Sequence, residues 1–360
     1  MKRKLVLESG EVLYGNGFGS QNEAIAEIVF HTAMCGYQEV MSDPSYTDCM
    51  VVMTYPLIGN VGFADEDYES KMMPFRALIV REYNDKPSNF RYTKTLTEVL
   101  VENEIPGLCQ VDTRKLTRII QEQGSQIALL CDEDQPMEEA MKKIAEYTLS
   151  CHPVQKVSCK KIRYQRTPNP RYNVVIVDCG VKYSVIRCLN QLGCNVTIVP
   201  YHTDANTILN MDPDGILISS GPGDPHDVLE VIELVQKLQG KKPIFGIELG
   251  HQIISLANGL EVMKTKFGQH GSNYPVKNMI NGKIRVEAHH HQFIVSDHII
   301  PKAVRVTYRN LLHHAIEGIE IEKDNVFSVQ FHPETSIGFQ FEDSLFEQFI
   351  EKIKMMKESN

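Results

Sequence analysis

The chain has 360 residues, 42% of them hydrophobic and 23% charged, with a net charge of −9. That length leads one to expect two domains with ample core, and the acidic balance argues against a general nucleic-acid binder. No apolar run reaches a membrane span, the three apolar residues after Lys2-Arg3-Lys4 are too few for a signal peptide, and nine scattered cysteines without a CxxC pair point to reduced thiols in a cytoplasmic protein.

Residues 1–150 read as one mixed α/β unit. Residues 4–7 and 12–14 flank a Glu8-Ser9-Gly10 turn and predict a hairpin. Residues 24–30, 50–54 and 77–80 predict three further strands. Helical spacing covers residues 93–103 and 112–123; Asp112 or Thr113 caps the second helix and Gly124 follows its end. Residues 151–170 are rich in Lys, Arg, Ser and Pro and read as an interdomain connection, and their basic stretch as a solvated linker.

Residues 171–360 alternate apolar strands (173–177, 196–199, 215–218, 244–247) with helices near 183–192 and 228–239. Such alternation predicts a doubly wound, mostly parallel sheet that binds ligands beyond the carboxyl ends of its strands. Two later strands are expected at 285–287 and 326–330. The final helix carries Leu345, Phe346, Phe349, Ile350 and Ile353 on one face.

Three segments bear on chemistry. Ser219-Ser220-Gly221-Pro222-Gly223-Asp224-Pro225 follows one strand. Gly246-Ile247-Glu248-Leu249-Gly250-His251-Gln252 follows the next, in the pattern of a nucleophile elbow. His332-Pro333-Glu334 ends a third. Alone, each is as readily a tight turn or a strand end. Together, in this order, they resemble the class I (triad) glutamine amidotransferase domain. Residues 30–39, 43–46, 54–62, 112–118 and 268–276 look like the small subunit of carbamoyl-phosphate synthase, so the resemblance spans essentially the whole chain.

The resemblance implies glutamine hydrolysis. An elbow cysteine attacks the amide, His332 moves the proton, Glu334 orients His332, and the backbones of Gly223 and Leu249 hold the oxyanion. Ser45, Gly221, Gln252 and Phe293 match glutamine-contacting positions. Ammonia passes to a large-subunit partner that uses ATP and bicarbonate; no cofactor or metal is expected in this chain. The sequence departs from the pattern at Glu248, which stands at the nucleophile position. It departs again at Ala288-His289-His290-His291-Gln292-Phe293, where Gln-Asn-His-Gly-Phe is usual, so that His290 and Gln292 replace glutamine-contacting Asn and Gly. Gln269-His270-Gly271 is a milder departure from His-Arg-Gly. Glu248 is expected either to pair with His332 or to fill the site.

Three readings follow: a small-subunit homologue defective in glutaminase, a non-catalytic pseudo-amidotransferase that serves as a partner or regulatory subunit, and a repurposed His/carboxylate hydrolase. In the last, His289 and His291 share one strand face and join Glu248 and His332, with metal conceivable; a polar run filling a vacated pocket is the preferred reading of the three histidines. His313-His314 is expected in a surface turn.

Overall fold

The structure, a computed structural model, describes residues 1–335 and 344–359. The chain divides into two units, Met1–Ser150 with Lys266–Gly271, and Cys151–Thr265 with the chain from Ser272 onward.

The first unit contains nine strands: β1 (Lys2–Leu7), β2 (Val12–Gly19), β3 (Ala24–His31), β4 (Cys49–Met53), β5 (Leu57–Ile58), β6 (Ala77–Ile79), β7 (Glu82–Tyr83), β8 (Pro106–Cys109) and β9 (Ile127–Asp132). Seven close into a barrel in the order β1-β2-β8-β6-β4-β3-β9, and β5 pairs separately with β7. The predicted hairpin is β1–β2, with Leu5 opposite Leu13. Alternation along the strands feeds two cores. Ile28, Phe30, Met50 and Val52 join one cluster; Val29, Val51 and Met53 point into another.

Two helices cover these cores. Thr113–Gln123 begins where Asp112 accepts from the Lys115 N–H and ends at Gly124, and its Leu116, Ile119 and Ile120 enter the first cluster. Leu96–Glu102 starts at a reciprocal capping box between Thr95 and Glu98 and buries Leu96, Val99 and Leu100 in the second.

The second unit contributes β10 (Arg163–Gln165), β11 (Tyr172–Asp178), β12 (Cys194–Pro200), β13 (Gly215–Ile218), β14 (Ile244–Ile247), β15 (Val262–Asn278), β16 (Ile284–Val295), β17 (Arg305–Asn310), β18 (Ile316–Ile321) and β19 (Val326–Val329). They form a sheet in the order β10-β12-β11-β13-β14-β19-β18-β16-β15-β17. The segment from β12 to β19 is parallel, and the added strands on either side are antiparallel. The continuous apolar runs are explained by burial on both faces. One face packs Val175, Val177, Ile216, Ile218 and Ile244 on Leu229–Leu238 and Leu249–Ala257. The other packs Val174, Ile176, Leu217, Phe245 and Ile247 on Tyr183–Gln191 and Leu345–Ser359. The predicted face of the last helix, from Leu345 to Ile353, is the buried one.

The stretch 151–170, expected as a connection, carries a helix, Pro153–Val157, and the edge strand β10, whose Tyr164 pairs with Thr197 of β12. Three half-exposed or exposed residues show no apolar alternation, so only the pairing partner reveals this strand.

Candidate active site

β11 leads to β12 on one side and to β13 on the other, so the strand order reverses between β11 and β13. The loops after β11, β13, β14 and β19 all leave the carboxyl ends of parallel strands, where such sheets place their ligands.

The elbow follows β14. Glu248 has φ 54° and ψ −104°, a strained conformation for a residue with a side chain, between the last strand residue and the helix Leu249–Ala257. Its N–H donates to the carbonyl of Val329 at 2.9 Å, tying the turn to neighbouring β19. The tightness of the turn demands glycine at 250: a Cβ there would lie 2.2 Å from the Ile218 carbonyl oxygen. The loop after β13 is equally close, for a Cβ on Gly221 would meet the Cys179 carbonyl oxygen at 2.1 Å and the Leu249 side chain at 3.0 Å. Gly221 and the elbow are therefore in direct contact. The Gly221 N–H donates to Oε2 of the Glu248 carboxylate at 2.9 Å. This sets Oε2 of Glu248 against the backbone of the loop after β13. Gly223, at φ 92°, abuts Pro153. Leu249 is the first helical residue, so its N–H has no carbonyl partner within the helix.

The base and its orienter lie beyond β19. The ring of His332 donates through Nδ1 to Oε1 of Glu334 at 3.0 Å, and both side chains are fully buried. Among the described residues, Nε2 of His332 has no hydrogen-bond partner. A residue that no motif pointed to, Lys182, donates to the same Oε1 of Glu334 at 2.6 Å. Burial alone would raise the Glu334 carboxyl; the Lys182 ammonium and the His332 ring outweigh it and hold the group down at about 2. The available signal was local. Lys182 is the N-cap of Tyr183–Gln191, the end of a helix where a cation is disfavoured, so a lysine there calls for an anionic partner.

The remaining expected residues divide between the units. His290 packs against His332 with the two rings tilted, their centroids 4.8 Å apart. Gln252, on the elbow helix, donates through Nε2 to the Phe293 carbonyl at 3.1 Å and to Oε1 of Gln330 at 3.3 Å, so Gln252 and the buried Phe293 are joined. Gln292 is half-buried, and its carbonyl accepts from the Thr265 hydroxyl. Ser45 belongs to the first unit, on the single-turn helix Pro44–Tyr46, where its N–H donates to Asp43.

The histidine run resolves into two faces. His289 and His291 share a side, with ring centroids 5.2 Å apart, and they meet Glu317 of β18. The imagined grouping of these two with Glu248 and His332 is corrected on this point. Alternation along β16 sends His290 toward His332, and the carboxylate beside the flanking pair comes from a strand with no motif to mark it. Burial pushes the Glu317 carboxyl up, but the His289 ring beside it brings the group below its ordinary value. His313 and His314 lie in the exposed turn after β17, as expected. All nine cysteines are free thiols, and no described helix is long and apolar enough to cross a membrane.

A doubly wound sheet with an elbow, a glycine loop pressed against it and a buried His–Glu pair defines a glutamine amidotransferase domain of class I. Residues 175–352 match the family described as glutamine amidotransferase class-I, and residues 5–130 match the carbamoyl-phosphate synthase small chain, CPSase domain. The chain is 43% identical over 358 residues to the carbamoyl phosphate synthase small chain of Bacillus anthracis, covering 99% of this chain and 97% of that one. It is 43% identical over 355 residues to the pyrimidine-specific small chain of Bacillus subtilis (strain 168), covering 98% and 96%. The chain belongs to the carbamoyl-phosphate synthase small-chain family.

Proposed function

We propose that this chain acts as a carbamoyl-phosphate synthase small subunit that has lost ordinary glutamine hydrolysis and leaves a large-subunit partner to use free ammonia with ATP and bicarbonate. The observation that carries this reading is the Glu248 carboxylate on the elbow, held at 2.9 Å by the Gly221 N–H. A carboxylate is a poor nucleophile toward an amide. It also brings negative charge and bulk against Gly221, one of the positions that match glutamine contacts.

The proton-transfer apparatus is retained. Nε2 of His332 has no hydrogen-bond partner among the described residues, and an ionised Glu334 lies behind Nδ1. What is lacking is the thiol on which that apparatus would act. His290 packed against the His332 ring, and a side chain at Gln292 in place of glycine, add bulk at positions that match glutamine contacts.

The test compares glutaminase activity of the parent protein with that of Glu248→Cys, and of Glu248→Cys combined with His290→Asn and Gln292→Gly. The parent is expected to fall roughly 10⁶-fold below an intact enzyme, by the scale of nucleophile loss in a protease. The triple variant is expected to recover the most. Ordinary glutaminase activity in the parent overturns the proposal. Ammonia-driven synthesis by the large subunit is then measured with and without this chain. No effect on that synthesis would leave the regulatory reading in its place, and metal-dependent hydrolysis would support the repurposed hydrolase.

A further inference from the structure

The face of β16 turned away from His332 holds a second constellation. His289, His291 and Glu317 are all buried, and one ligating atom from each lies within 4.8 Å of the others. Nε2 of His289 is 2.9 Å from Oε2 of Glu317. We propose that these three side chains bind a zinc-like divalent transition ion on the strand face opposite His332, with water completing the coordination.

The donor set matches that ion. Two imidazoles and one carboxylate suit zinc or cobalt, whereas calcium and magnesium require a cage of oxygens. Ligand atoms around a tetrahedral zinc stand about 3.3 Å apart, given bonds of about 2.0–2.1 Å. The three donor atoms lie within 4.8 Å of one another, so the side chains draw together when they share one ion. The surroundings orient the donors. Asn310 donates to the other oxygen of Glu317, Oε1, at 3.0 Å, which leaves Oε2 directed at His289. Nδ1 of His289 faces the Glu287 carbonyl at 3.4 Å, which sets Nε2 as the ligating nitrogen. The Tyr274 ring packs edge-on against His289 with centroids 5.0 Å apart and helps fix its plane.

The site ties β16 to β18. These strands pair through their backbones at Val295 and Ile316, and the ion would add a side-chain clamp to that pairing.

The experiment strips the full-length protein with a chelator, adds Co²⁺ or Zn²⁺, and measures bound metal per chain, the visible cobalt absorption and the Tm. The expected result is one ion per chain, low-coordinate cobalt bands and a metal-dependent rise in Tm. His289→Gln and Glu317→Gln should abolish the bands and the rise, Asn310→Ala should weaken binding about 10- to 100-fold, and His314→Asn in the exposed turn should change neither. No stoichiometric ion in the parent protein overturns the proposal and leaves a structural His–Glu hydrogen bond. Binding that survives both His289→Gln and Glu317→Gln overturns it equally, by assigning the ion to surface histidines. The parent measurement decides even if a variant fails to fold.

Discussion

Lys182 and Glu334 show how one residue outside every motif governs a site. A fully buried carboxylate bonded to a lysine and a histidine is tolerable only while those partners remain. Lys182→Met should therefore destabilise the protein by about 3–5 kcal/mol, measured by urea unfolding, and Lys182→Met with Glu334→Gln should recover much of the loss because no charge is then left unpaired. The same pair predicts acid sensitivity. The folded-state carboxyl is depressed to about 2, so its contribution is complete above the ordinary value of 4.5 and is lost as pH falls from there toward 2. Glu334→Gln should flatten the unfolding free energy across that window. Glu248 stands at the opposite pole of legibility. Its identity and its elbow were readable from the glycines around it, but the direction of its carboxylate was not, since the Gly221 N–H that donates to it is 27 residues away.

The elbow helix illustrates what an element adds. Leu249–Ala257 buries nearly every side chain of its first two turns, including His251. Nε2 of His251 donates to the Ile316 carbonyl at 3.3 Å, and Nδ1 is 2.8 Å from the Ser328 hydroxyl, an arrangement suited to neutral imidazole. Burial is the main cause that holds its pKa down at about 4, against the opposing pull of Glu317. The unfolded chain thus binds the proton more readily. Stability present above pH 6.5 falls as pH drops toward 4, by on the order of 3 kcal/mol. Denaturant unfolding at about pH 7 and about pH 4.5 should show this loss in the parent and a smaller one in His251→Asn. A steric prediction belongs to the same element. Gly250→Ala places its methyl 2.2 Å from the Ile218 carbonyl oxygen, so the turn must open, and a fall in Tm of several degrees is expected. Helix ends were legible wherever capping chemistry is local, as at Asp112 and Thr95. Strand β10 was not, because an exposed edge strand needs no apolar pattern.

At the scale of the molecule, each unit has its own cores, and the chain returns to the first unit after most of the second has begun. Lys266–Gly271 accepts the Ser125 N–H at Lys266 and the Thr32 N–H at His270, while Phe267 packs on Phe30. A polypeptide ended at Ser150 lacks all three contacts. At about 1 kcal/mol for each hydrogen bond and about 1 kcal/mol for the aromatic pair, it should be roughly 3 kcal/mol less stable than one that supplies residues 266–271 as a linked strand, as denaturant titration of the two would show. The sequence by itself determined the two-part organisation, the parallel rhythm of the second part, the elbow and the residues 332 and 334 behind it. These are written in periodicity, in turn glycines and in short motifs, all of which act over a few residues. Only the tertiary structure decided that seven strands close into a barrel, that Lys182 joins the Glu334 carboxylate, and that His289 and His291 face Glu317 while His290 faces His332. Those outcomes depend on which strand lies beside which, and strand pairing is set by burial summed over the whole sheet and not by any local stretch of chain.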